Sequence, residues 1–116
     1  MSVGFQADGS YILERSEQGA ECGGLHKNIW GRIEVLKGLP ARARLEQEAA
    51  PPTASSFFGR LFGGPNKGLA SVAEYSRERA HVVALQRTMV EKKCVDVDVV
   101  GELAQSDAEM ARLRQN

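Results

Sequence analysis

From Leu69 to Lys93 the chain runs without a glycine or proline, and its apolar residues fall on two separate sides of one helical wheel. Leu69, Val72, Ala73, Ala80, Val83 and Val90 make one face, and Tyr75, Val82, Leu85 and Met89 make another roughly opposite, as 3.6 residues per turn requires. One neighbouring element cannot cover both. The next segment carries a single stripe, Val95, Val99, Leu103, Met110 and Leu113, with Asp98 placed as an N-cap. The pattern predicts a C-terminal antiparallel helical hairpin with its hinge at Lys93, Cys94 and Val95. The alternation Val95-Asp96-Val97-Asp98-Val99 also fits a short strand, but the helical pattern continues well from Glu102 to Arg114.

Upstream, Val3-Gly4-Phe5 and Tyr11-Ile12-Leu13 flank the turn sequence Ala7-Asp8-Gly9-Ser10, which fits a short N-terminal β-hairpin. From Leu25 the period changes, and Leu25, Ile29, Ile33 and Leu36 describe one face of a helix of about three turns. Gly38 stands where a left-handed cap would end it, and Pro40 suits the first turn of a following helix. Ala41 to Ala50 is rich in helix formers with Leu45 as its only large apolar residue, which predicts a solvated helix. A competing pattern pairs Ile29–Leu36 with Ala43–Leu45 as a hairpin. Pro51-Pro52 and the small polar residues after them read as a linker, closed by a second breaker at Gly63–Gly68. The expected organisation is therefore an N-terminal region over 1–50, a linker with an aromatic cluster over 51–68, and a helical hairpin over 69–116. The fold class expected is a mainly α small domain.

Charge changes this picture only locally. Lys plus Arg and Asp plus Glu number 15 each, so no long-range attraction to nucleic acid or an anionic membrane follows. Residues 57–93 hold seven basic and three acidic groups, net +4, and residues 94–116 hold two basic and five acidic, net −3. That contrast favours antiparallel pairing of the last two helices, although exposed pairs contribute only about 0 to 1 kcal/mol each. The basic residues Arg77, Arg79, Arg87, Lys92 and Lys93 do not line up in one stripe, which argues against a DNA-binding regulator.

Candidate chemistry is sparse. The two cysteines are 72 positions apart, and without a secretory segment they read as a reduced, cytoplasmic pair. Cys22, His26, His81 and Cys94 match a tetrahedral zinc site in number but not in spacing. No Ser-His-Asp or Cys-His arrangement is visible, so neither an enzyme nor a cofactor or metal is expected. Phe57, Phe58 and Phe62, with Leu61 between them, concentrate three of the four phenylalanines in six residues. They read as core, as a docking motif, or as a peripheral membrane anchor.

The surplus apolar face of the long amphipathic helix carries the functional expectation. A stripe that the chain itself leaves uncovered marks a partner site or self-association. The expectation is a non-catalytic protein-binding module of the adaptor, inhibitor or assembly-factor type, acting on another protein or on itself as a homo-oligomer. Its expected binding residues are Tyr75, Val82, Leu85 and Met89, with Phe57, Phe58, Leu61 and Phe62. Membrane association through the phenylalanine cluster is the alternative, and DNA binding the third.

Overall fold

A computed structural model describes residues 2–49 and 70–115. The chain opens with a small antiparallel hairpin, β1 (Gly4–Phe5) and β2 (Tyr11–Ile12), in the register Gly4 opposite Ile12 and Phe5 opposite Tyr11. Its turn is closed by Asp8, whose Oδ1 accepts from the Ser10 amide and hydroxyl at 3.0 and 2.6 Å, while Gly9 takes the positive φ of 90° that the turn needs. A single turn, α1 (Arg15–Gln18), follows and is held by a capping box between Glu14 and Glu17. Three long helices complete the fold: α2 (Cys22–Ala49), α3 (Ala70–Glu91) and α4 (Val99–Gln115). The mainly α domain with a short N-terminal hairpin is therefore what the chain adopts.

The helices form an up-down-up bundle in which α2 touches both others. Arg32 and Arg42 of α2 pair with Glu78 and Glu74 of α3, an order that reverses along the partner and makes that pair antiparallel. Lys37 and Arg44 pair with Glu102 and Glu109 of α4 at one constant separation of 65 residues, so α2 and α4 run parallel. The α3–α4 hairpin is antiparallel as expected, but charge joins it differently. Among the described residues, its one Lys/Arg–carboxylate pair is Arg79 with Asp107, and the other such pairs start from α2.

One core joins the three long helices. Leu25, Ile29, Ile33, Leu36, Leu39 and Ala43 of α2 meet Val72, Tyr75, Val82, Leu85 and Met89 of α3 and Val99, Leu103, Met110 and Leu113 of α4. Each fully buried aliphatic side chain contributes about 1.5 to 3 kcal/mol, and this burial holds helices that would be marginal alone.

Three local expectations are corrected. The helix from Leu25 does not end at Gly38: α2 continues through Gly38 and Pro40 as one element of 28 residues, and the competing hairpin is absent. An interior proline costs about 3 kcal/mol because its ring crowds the carbonyl four residues back and it donates no hydrogen bond. Burial of Leu36, Leu39, Pro40 and Ala43 on one face offsets that cost. The segment Ala41–Ala49 thus has a core residue, Ala43, while Leu45 points outward at 63% exposure. The last stripe begins at Val99, not Val95: residues 94–98 lead from α3 to α4 as irregular backbone, and Val95 is 77% exposed.

The termini of α3 and α4 are capped by neighbours. Glu46 of α2 accepts from the Ser71 amide and hydroxyl at 3.1 and 2.6 Å, placing a carboxylate against the unpaired amides at the start of α3. At its other end, Cys94 N–H bonds Met89 C=O and Lys93 N–H bonds Val90 C=O, with Lys93 left-handed at φ 60°. Asp98 caps α4, its Oδ1 accepting from the Gly101 amide at 3.0 Å.

Antiparallel packing of α2 on α3 brings the start of one beside the end of the other, and Cys22 and Cys94 meet there. Their Cα atoms are 5.5 Å apart and the sulfurs are bonded, so the expected reduced pair is a disulfide closing a 72-residue separation. Lys92 Nζ donates to Ala20 C=O at 2.8 Å beside it. Among the described residues, no helix is long and apolar enough to cross a membrane.

Candidate binding cleft

Of the two apolar faces of α3, the one expected to be left uncovered is the buried one. Tyr75, Val82, Leu85 and Met89, expected to meet a partner, are each at most 1% exposed and lie against α2 within the chain's own core. That face is covered by the N-terminal half, and it offers no surface to another molecule. The reason is size: it carries the larger side chains, and α2 supplies a matching row of Leu and Ile. Phe57, Phe58, Leu61 and Phe62 lie outside the described residues, as does Leu69.

On the other face, Val72 is buried but Ala73 and Val90 are exposed, and Ala80 and Val83 are half-buried. The N-terminal hairpin leans against this side and leaves an open cleft of about 620 Å³. Ala80, Val83 and Ala84 form its floor, Phe5 and Tyr11 one wall, and Asp8, Arg79, Arg87 and Arg114 its polar rim. Phe5 remains 45% exposed there.

A network of side chains fixes the hairpin wall. The Tyr11 ring stacks on the His81 ring with centroids 3.9 Å apart and planes within 12°. His81, 4% exposed, shares a hydrogen bond of 2.6 Å between its Nε2 and Glu17 Oε2. Glu17 also accepts from Asn28 Nδ2 at 3.0 Å, Asn28 accepts from Arg32 Nε at 2.8 Å, and Arg32 pairs with Glu78 at 2.8 Å. Elements β2, α1, α2 and α3 are tied by this one chain of contacts. Burial alone would raise the Glu17 carboxyl, but the hydrogen bonds from His81, Asn28 and the Glu14 amide outweigh it and hold Glu17 below its usual range.

The far rim is set by α4. Arg79 grips Asp107 through Nε and Nη2 at 2.9 and 2.7 Å, and the Tyr75 hydroxyl donates to the same carboxylate at 2.6 Å. Burial opposes ionisation of Asp107, and the bonds from Arg79 and Tyr75 overcome it, keeping the carboxyl low. Tyr75 is pushed well above the ordinary phenol range, first by burial and then by Asp107. Arg114 donates to the Ser76 hydroxyl at 2.9 Å.

Both cysteines are spent on the disulfide, the buried His81 is engaged by Glu17, and among the described residues no cluster of His, Cys, Asp or Glu could hold a metal. No protein-family model, curated protein or solved structure matches this chain.

The sequence pattern places Ala80 and Val83 on an apolar helix face and Phe5 and Tyr11 on the arms of a hairpin, but does not show that they meet. The hairpin reaches α3 across more than 60 positions of chain, and no local period encodes that contact.

Proposed function

We propose that this protein is a non-catalytic protein-binding module of the adaptor, inhibitor or assembly-factor type, taking its partner in the cleft between the N-terminal hairpin and the outer face of α3. The observation that carries the reading is the apolar face left over after the core is complete: Ala80 and Val83 line the cleft with the half-exposed Phe5, and Ala73 and Val90 are exposed on the same helix. An uncovered stripe framed by polar groups has the make-up of an interaction surface. The rigid backing of the cleft by the Tyr11–His81–Glu17 network supports a preformed site, which lowers the ordering cost of binding. The non-catalytic part of the reading is supported by the engagement of His81 with Glu17 and of both cysteines in the disulfide.

The disulfide bears on where such a module works. A Cys22–Cys94 bond persists in an oxidising compartment and is reduced in an ordinary cytoplasm, so the oxidising setting is proposed in place of the cytoplasmic one.

Selection from a displayed library of random peptides tests the module. The wild-type protein is expected to enrich binders that a Val83→Glu variant of unchanged helicity does not retain. Enrichment that survives Val83→Glu would place binding elsewhere and refute the role of the cleft.

A further inference from the structure

Among the described residues, the rim of the cleft carries more guanidinium groups than carboxylates paired with them. Of its three guanidinium groups, Arg79 is matched by Asp107. Arg114 donates to the Ser76 hydroxyl and acts on Asp107 through space alone, and neither it nor the exposed Arg87 has a carboxylate within ion-pair distance among the described residues. Planar guanidinium groups take carboxylates two bonds at a time, which gives direction as well as attraction. Between them lies the apolar floor of Ala80 and Val83. The opposite rim holds Asp8, whose carboxyl is kept low chiefly by the Ser10 hydroxyl and so stays ionised at neutral pH.

We propose that the partner segment is a short peptide that alternates acidic and apolar side chains, its carboxylates on Arg87 and Arg114 and its apolar side chains on Ala80 and Val83. This rests on the cleft being the binding site. The fixed Asp8 carboxylate repels a continuous polyanion, whereas a peptide with separated carboxylates can set its own amide hydrogens there. Net charge points the same way: with basic and acidic residues balanced at 15 each, the chain lacks the electrostatic surplus on which phosphate-backbone binding depends.

Fluorescence anisotropy of three labelled, capped peptides tests the assignment on the full chain with its disulfide intact: one alternating glutamate and leucine, one glutamine and leucine, one lysine and leucine. The glutamate peptide is expected to bind about tenfold or more tightly than the glutamine peptide, the scale of a charge-assisted hydrogen bond, with the lysine peptide weakest. Arg87→Ala should erase most of that ratio while leaving the thermal melt unchanged, and added salt should shrink it. Equal binding of the glutamate and glutamine peptides overturns the charge assignment, as does failure of all three to bind, or displacement of the glutamate peptide by a single-stranded DNA oligonucleotide at physiological salt. Val83→Glu separates the two levels. If it abolishes binding of glutamate and glutamine peptides that were equal, the cleft stands and only its acidic preference falls; if it abolishes neither, the cleft falls too.

Discussion

Val82 and Val83 are neighbours on α3 whose side chains stand about 100° apart around the helix, and substituting each by alanine measures which apolar face is core. Val82 is fully buried, and Val83 is half-exposed on the cleft floor. Val82→Ala removes two methyl groups, worth about 1.6 kcal/mol at roughly 0.8 kcal/mol each. If about 40 Å³ stays open behind them, the cavity adds about 1 kcal/mol. The expected loss is thus on the order of 2.5 kcal/mol, which at this chain length lowers the melting midpoint by about 10 °C. Val83→Ala removes the same atoms from a wet surface and should cost less than about 1 kcal/mol. Urea titration followed by circular dichroism reads both, and an unchanged slope shows that the unfolded state is not the cause. Equal losses, or a Val82→Ala loss below about 0.5 kcal/mol, would refute the assignment of faces and with it the location of the cleft.

Gly31 and Gly38 lie on the exposed side of α2 with nothing within 4 Å of where a Cβ would stand; each change to alanine should raise stability by about 0.5 to 1 kcal/mol in the same titration, and a loss would show that something approaches them. Replacing Cys22 and Cys94 with serine removes a constraint worth up to about 4.4 kcal/mol by loop entropy, so the double variant should melt well below the oxidised protein, whereas an identical melt would mean the bond does not constrain the chain. Because Glu17 sits below its usual 4.5 in the folded chain, the unfolded chain binds more protons there, and its contribution to stability is complete above about pH 4.5 and lost as pH falls through the lowered value. Glu17→Gln should therefore flatten the acid limb of a stability–pH curve relative to the wild type, and identical limbs would remove Glu17 from the hairpin clasp.

The sequence by itself determined the elements whose causes are local. Asp8-Gly9 set a turn, Asp98 set a cap, and the three- and four-residue spacing of Leu25, Ile29, Ile33 and Leu36 set a helical face, because each depends on atoms within one or two turns of chain. Local rules failed at Gly38 and Pro40, where two breakers in succession read as an end. The buried row through Leu39 and Ala43 outweighs them, and that row has value only once α3 and α4 are packed against it. The two faces of α3 were equally legible, but amphipathicity states that a face is apolar, not what covers it. Tertiary structure decided that Tyr75, Val82, Leu85 and Met89 turn inward and Ala80 and Val83 outward, because only the larger side chains fill the space offered by α2. The disulfide and the Glu17–His81 contact belong to the same category: 72 and 64 positions separate their partners, and such pairs meet only because antiparallel helices return the chain to its beginning.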